Sequence, residues 1–180
     1  IEKKTTPAFW QKHTYTSWVP RGLGRMVWLE KHRPDLLDPE KYIYAGAGEC
    51  VYFMLTDTWR QDAGTALQIG CYDVPSLSLK QSLLDLVDLP LSFVAPMRQG
   101  HALASLSHSA GRRFRLSPGI PVAGPYMDHE AGFLSAAGTS DRPLQVSLGT
   151  AWVGNYRLPR NTMASAPVQL VLPSPLAGKR

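Results

Sequence analysis

The sequence predicts a mixed α/β fold, because stretches with helical spacing of apolar residues alternate with short stretches that have the apolar and polar alternation of strands. The chain has 180 residues, of which 44% are apolar and 18% charged, enough to bury the core of one ordinary domain. This composition excludes disordered and fibrous classes. No apolar run approaches the roughly 20 residues of a membrane-spanning helix, so we expect a soluble chain.

The first two thirds of the chain favour helices. Apolar residues follow helical spacing over 22–31, and a second, mostly buried helix is predicted over 47–55. Residues 38–40, Asp-Pro-Glu, have the cap and first-turn proline of a helix start. A short amphipathic helix is predicted over 79–87, and 97–119 is predicted as loop with one short helix.

The last third combines strands with one helix. Residues 120–123 predict a short strand, and an Ala- and Leu-rich stretch over 129–137 predicts a helix that ends before a glycine. Apolar and polar residues then alternate over 144–158 with a break at 149–150, which predicts a bent hairpin. One more strand is predicted over 168–172.

Charge and cysteine content narrow the function classes. The net charge of +5 and the pI near 9.4 tolerate a polyanionic partner without requiring one. Three arginines around Phe114 could serve nucleic acid, yet a solvated loop explains them more simply. Cys50 and Cys71 lack a Cys-x-x-Cys partner, so we expect buried thiols in a reducing cytoplasm, without a disulfide framework or thiolate zinc site.

Asp128 is the first candidate for chemistry, since it lies where a strand and a tight loop lead into a helix. Open α/β folds bind ligands at such positions. The simpler interpretation is an N-cap, in which the carboxylate accepts backbone N–H groups, and the two roles can coexist. A carboxylate at the positive end of a helix stays ionised and can accept a proton from an attacking hydroxyl.

The other candidates are weaker by themselves. Gly149 and Thr150 could bring a backbone and a hydroxyl close to a phosphate, although turn chemistry alone explains most such pairs. His129 lacks the second histidine of a zinc protease motif, because position 133 is Phe133. Trp18 could stack on a sugar face, although most tryptophans pack in cores. The usual P-loop, nucleophile-elbow and dinucleotide motifs do not occur.

Several stretches share residue types, order and spacing with one known family; they are Arg25–Glu30, Glu49–Thr56, Asp62 with Ala66 and Asp73, Leu116–Gly124, Asp128–Ala131 and Val146–Thr150. Asp128-His129-Glu130-Ala131 is similar to an Asp-x-Gln-Ala motif, and Val146–Thr150 is similar to a Ser-Leu-Gly-Thr-Ser strand and turn. Together they resemble the middle of an FGGY-family carbohydrate kinase, a family of the actin and hexokinase superfamily.

The resemblance implies an α/β, ribonuclease H-like kinase domain that is incomplete. Residues 1–143 would form the C-terminal part of the first, sugar-binding domain, and 144–180 the beginning of the second, nucleotide-binding domain. It implies transfer of the γ-phosphoryl group of ATP, with Mg²⁺, to a sugar or polyol hydroxyl in the cytoplasm. We expect no nucleic-acid or membrane partner, and a homodimer is compatible with the resemblance.

The resemblance also assigns roles to single residues. Asp128 matches the catalytic aspartate, which acts as general base, and His129 matches a position that hydrogen-bonds the sugar. Gly149 and Thr150 match the turn that faces the nucleotide phosphates. Trp18 remains the candidate for sugar stacking.

Departures from the family pattern motivate an alternative to the kinase, a non-catalytic relative that binds sugar or nucleotide. Met127 stands where the family has a small glycine, and Ala151 where it has serine. The family's opening Asp-x-Gly-Thr phosphate loop and its glycine-rich adenosine site do not occur in this sequence. We therefore expect the fragment alone to be inactive, with those parts lying before Ile1 and beyond Arg180 in a longer protein.

Overall fold

Helices are the main regular structure of the described residues, and the strands between them are short. The computed structural model describes residues 1, 3–98, 103–136, 143–150 and 152–158. Its α-helices are α1 (Pro7–Thr14), α2 (Arg21–His32), α3 (Ala47–Thr56), α4 (Ala63–Ile69), α5 (Gln81–Leu84), α6 (His108–Phe114) and α7 (Asp128–Ala136). Its strands are β1 (Tyr72–Asp73), β2 (Ser78–Leu79), β3 (Ala104–Ser105), β4 (Pro121–Val122), β5 (Leu144–Leu148) and β6 (Trp152–Tyr156).

Polar side chains begin three of these helices. The hydroxyl of Thr6 accepts a hydrogen bond from the third residue of α1, Asp62 does the same for α4, and Ser107 for α6. Each cap satisfies a backbone N–H that has no partner within the helix. Neither α1 nor α4 is among the helices predicted from the sequence, because each is short and is marked mainly by its end residues, such as Thr6 and Asp62.

The strands pair only with their neighbours in the chain, among the residues described. β1 pairs with β2, β3 with β4, and β5 with β6, each pair antiparallel and two-stranded. Parallel bridges at Tyr44–Val94 and Gln61–Met97 tie distant loops together. The described residues thus form a mixed arrangement of helices and small two-stranded sheets.

The core lies in the first half of the chain. It brings α1, α2, α4 and α5 around β1 and the loop that ends at Val94. Its largest fully buried apolar side chains are Trp10, Tyr72, Phe93, Leu23, Met26, Leu83 and Leu84. Gly22 allows the closest approach in this core, because a Cβ there would overlap the backbone of Ile69.

The β5–β6 hairpin has the opposite polarity to a usual surface hairpin. Its polar face packs against α7, and Gln145 lies opposite Asn155, whose amide donates to the Gln145 side chain at 2.5 Å. The other face is apolar and open: Leu144, Val146, Leu148, Trp152 and Tyr156 are 65%, 51%, 67%, 80% and 49% exposed. Exposed apolar faces of this kind normally mark contact surfaces.

Several sequence expectations are confirmed. The helices predicted over 22–31, 47–55 and 129–137 correspond to α2, α3 and α7, and the hairpin over 144–158 corresponds to β5 and β6. The strand predicted over 168–172 lies outside the described residues.

Other expectations are wrong. Residues 38–40 form a turn in which the Asp38 carboxylate accepts from the Glu40 N–H, so the aspartate caps a turn and not a helix. The helix over 79–87 is shorter, because Ser78 and Leu79 pair with β1 before α5 begins. Cys50 is exposed on α3, whereas Cys71 is buried as expected.

No helix among the described residues is long and apolar enough to cross a membrane.

A polar cluster inside this fold joins α1 to β1. The buried Asp73 carboxylate lies 2.5 Å from His13 Nδ1, accepts from the backbone and hydroxyl of Ser76, and lies 3.4 Å from Lys80 Nζ. Burial acts to raise the pKa of Asp73, but hydrogen bonds from Ser76 and His13 outweigh it and lower the pKa to about 2.

Asp73→Asn should therefore lower the free energy of unfolding by about 2 kcal/mol near neutral pH, since charge-assisted hydrogen bonds are lost. Because the folded pKa is about 2, below the ordinary value, the contribution is present above about pH 4 and is lost as the pH falls toward 2. Urea unfolding across this range measures it, with exposed Asp88→Asn as the control. Equal pH profiles for Asp73→Asn and the unsubstituted chain would contradict the assignment.

Candidate functional site

The first turns of three helices meet at the loop that leads into α7. Gly48 on α3 faces this loop, since a Cβ there would lie 3.6 Å from Pro125 Cβ. Gly64 on α4 faces the end of the loop, since a Cβ there would lie 3.3 Å from Met127 Cβ. Glycines at both positions let the helix starts approach the loop closely.

Asp62 joins α4 to α7. Its Oδ1 accepts from the Thr65 N–H at 2.7 Å, which caps α4, and its Oδ2 accepts from the Met127 N–H at 2.8 Å. Asp62 is 5% exposed, so both hydrogen bonds are shielded from water. Shielded hydrogen bonds to a carboxylate are about twice as strong as neutral ones, and they fix the backbone just before Asp128.

Glu130 faces Asp62 from the first turn of α7. Its Oε2 is buried, and no hydrogen-bond donor reaches it among the described residues. Burial raises the pKa of Glu130 most, and its hydrogen bond and charge interaction with Asp62 raise it further, to about 9, although the Met127 backbone acts to lower it. The Glu130 carboxyl is therefore protonated at neutral pH and can donate to the Asp62 carboxylate.

A third carboxyl group, Glu49, lies behind this pair. It is 2% exposed in the first turn of α3. Burial raises the pKa of Glu49, its hydrogen bond with Thr65 acts to lower it, and the charge of Asp62 raises it. The start of α4 is thus held between carboxyl groups from α3 and α7.

Asp128 is the first residue of α7 and is exposed. The first backbone hydrogen bond of the helix runs from the Ala131 N–H to the Met127 carbonyl, which makes Met127 the cap residue. Asp128 Oδ1 accepts only from the adjacent His129 N–H, at 2.9 Å, among the described contacts. The N-cap interpretation of Asp128 is therefore wrong, and its carboxylate remains open to solvent beside the positive helix end.

The other predicted site residues lie on α7, at the bend of the β5–β6 hairpin and in the loop between α1 and α2. His129 follows Asp128 on α7 and is partly buried, whereas Gly149 and Thr150 are exposed at the bend of the β5–β6 hairpin. Because α7 packs on both strands of that hairpin, the hairpin and Asp128 belong to adjoining elements. Trp18 is 41% exposed in the loop between α1 and α2, and no hydrogen bond or ring contact described for it reaches α7.

Met127 packs against α4. Its Sδ accepts from Gln68 Nε2 at 3.0 Å, and its Cβ lies against Gly64. This packing gives the methionine a structural role on the α4 side of the loop. Ala151, the second departure from the family pattern, lies outside the described residues.

No family model matches the chain. It is 28% identical over 140 residues to the autoinducer-2 kinase of Salmonella typhimurium. The matched segment covers 76% of this chain and 26% of the relative. Among solved structures, the xylulose kinase from Rhodospirillum rubrum matches 83% of this chain and 31% of its own, with a TM-score of 0.72 and 22% identity. The chain has the fold of the FGGY carbohydrate kinases.

A second solved structure agrees with this assignment. The glycerol kinase from Plasmodium falciparum, solved with ADP, matches 76% of this chain and 28% of its own, with a TM-score of 0.62 and 15% identity. The resemblance to FGGY kinases seen in the sequence is thus confirmed for the fold. The chain spans about a quarter of the length of the curated relatives that it matches.

The sequence signals for Asp62 and Glu130 were present but incomplete. Both residues belong to stretches that resemble FGGY motifs, yet their contact joins positions far apart in the chain. A carboxyl group that follows Asp128 by two residues is not by itself a sign of an acid pair. Only the close approach of α4 and α7 at Gly64 brings the two groups together.

Gly64→Ala tests this close approach, with Gly24→Ala as the matched control. A Cβ at Gly64 would lie 3.1 Å from Glu130 Oε2, whereas a Cβ at Gly24 meets nothing within 4 Å. In an open helix the change stabilises by about 0.5–1 kcal/mol. We expect that gain for Gly24→Ala and a loss of about 1 kcal/mol for Gly64→Ala, because the buried Glu130 must move.

Chemical denaturation of both variants measures the difference between them. Equal stabilisation by the two alanines would show that the start of α7 does not press on α4.

Proposed function

We propose that the complete protein is an ATP-dependent carbohydrate kinase that transfers the γ-phosphoryl group of ATP to a sugar or polyol hydroxyl. The observation that carries this proposal is Asp128, an open carboxylate in the first turn of a helix whose backbone is anchored by a buried aspartate. The fold of the FGGY kinases supports it, as does the autoinducer-2 kinase relative.

In this reaction Asp128 acts as the general base. Its carboxylate accepts the proton of the substrate hydroxyl while the hydroxyl oxygen forms a bond to the γ-phosphorus, and the bond from that phosphorus to the bridging oxygen of ADP breaks. The anchored start of α7 holds the base in one place, so the reaction gains from positioning instead of from a covalent intermediate.

Three of the remaining roles follow the family pattern, those of His129, Gly149 and Thr150. His129 hydrogen-bonds the sugar. Trp18, which rests on its aromatic face and not on the family pattern, stacks on a sugar face. The backbone of Gly149 and the hydroxyl of Thr150 contact the nucleotide phosphates, because a turn with a glycine lets phosphate oxygens approach N–H groups closely. Closure of two domains around the substrates would exclude water and suppress hydrolysis of ATP.

ATP and Mg²⁺ complete the proposal. The described residues contain no group of three or more His, Cys, Asp or Glu side chains that could hold a metal ion. Mg²⁺ commonly enters such sites with the substrate phosphates and keeps several waters, so no step above depends on a protein cage for it. We also propose a cytoplasmic enzyme, with 1–143 completing the sugar-binding domain and 144–180 beginning the nucleotide-binding domain. The homodimer is part of the same proposal.

The non-catalytic alternative rests on Met127 and Ala151. Packing of Met127 against Gln68 and Gly64 on α4 weakens that argument, because it accounts for the methionine without an altered substrate pocket. Calorimetric binding of a sugar without any phosphorylated product would favour the alternative.

Asp128→Asn in the complete protein should lower kcat by about 10² to 10⁴, since the amide cannot accept the proton, while the fold stays intact. An ADP-release assay over pentuloses, hexuloses and polyols measures the loss. Circular dichroism checks the fold, and the exposed Asp88→Asn serves as the matched control. Unchanged turnover of Asp128→Asn would reject the assignment of the base.

A further inference from the structure

Two carboxyl groups lie directly behind the proposed base, and neither is assigned a role by the kinase reaction. Asp62 caps the start of α4, and Glu130 lies in the first turn of α7, two residues after Asp128. Both face Gly64, since a Cβ there would lie 3.1 Å from Glu130 Oε2 and 3.6 Å from Asp62 Oδ1.

The contact requires a proton. Both oxygens of Asp62 already accept backbone N–H groups, and no donor among the described residues reaches Glu130 Oε2. Because both carboxyl groups face Gly64 and interact with each other, two ionised carboxylates would repel each other in a site shielded from water. One proton on Glu130 removes the repulsion and supplies the missing donor.

Other titratable groups lie around the pair. Tyr72 on β1 and Tyr126 in the preceding loop interact electrostatically with Glu130, and Glu49 on α3 interacts with Asp62. Arg60 interacts with Tyr126 and lies over the ring of Tyr52, 5.8 Å from its centroid.

We propose that Asp62 and Glu130 are a positioning pair for Asp128, sharing one proton that fixes the first turn of α7 to the start of α4. The Met127 N–H, which precedes Asp128, is bound by Asp62 and also interacts with Glu130. Both groups therefore act on the peptide that sets the direction of the Asp128 side chain. The proposal rests on the proposed kinase function, because it acts through the general base.

The shared proton makes the arrangement sensitive to alkaline pH. The pKa of Glu130 is raised to about 9, so the carboxyl stays neutral at pH 7 and ionises as the pH rises through about 9. A raised folded pKa means that stability from this group is full below its unfolded pKa and is lost as the pH rises toward 9. Glutamine has nearly the same shape and donates a hydrogen bond at every pH.

The test compares Glu130→Gln and Glu130→Leu with the unsubstituted complete protein, and uses Glu40→Gln, an exposed position, as the control. We expect Glu130→Gln to keep kcat at pH 7 within about threefold and to lose the alkaline fall in kcat. Glu130→Leu should lower kcat by about tenfold to a hundredfold with the KM for ATP little changed, because the base is misplaced and the nucleotide is not.

A second readout does not depend on activity. The melting temperature of the unsubstituted protein should fall between about pH 6 and pH 9 relative to Glu130→Gln, whereas Glu40→Gln should follow the unsubstituted protein. Unchanged kcat in Glu130→Leu, or an alkaline fall that persists in Glu130→Gln, would overturn the positioning role. A complete protein without kinase activity that still shows the melting difference would overturn the proposed function and support the shared proton.

Discussion

The hydrogen bond from the Met127 N–H to the Asp62 carboxylate is the contact on which the candidate site depends. It joins residues 65 positions apart. The donor lies at a helix start, where backbone N–H groups have no partner within the helix. Since the same carboxylate caps α4 through Thr65, the starts of α4 and α7 cannot shift independently. The direction of Asp128 is thereby tied to the core that α4 helps to build, and the loop before α7 does not set it alone.

Helices with a clear apolar period could be predicted from the sequence, whereas those defined by a cap and a short length could not. The α2 helix has twelve residues and a proline beyond its end, so its spacing was sufficient. The α1 helix has eight residues and α4 has seven, and their local signals lie only at their ends: Thr6 and Pro7 at the start of α1, and Asp62 and Gly70 at the two ends of α4. Burial of their own side chains in the core, such as Trp10 of α1 and Leu67 of α4, stabilises such short helices. A short stretch of sequence does not show these tertiary contacts.

The candidate site was predictable to the extent that it is local. Asp128 was found because a strand, a loop and a helix start follow one another in the chain. The contribution of Asp62 and Glu130 was not found, because it arises from contact between two helix starts and from the loss of water around them. The cap predicted at Asp128 is wrong for a related reason. A shift of the helix start by one residue turns a cap into the first helical position, and a local sequence pattern does not fix the start to one residue.

The hairpin formed by β5 and β6 has a practical consequence for handling the chain in solution. Five large apolar side chains on one open face form a surface that water solvates poorly. Hydration of these side chains becomes less favourable as salts such as sulfate are added. Association between copies of the chain should therefore strengthen with kosmotropic salt and with protein concentration. Light scattering from dilute samples at low salt therefore describes the isolated chain better than concentrated stocks do.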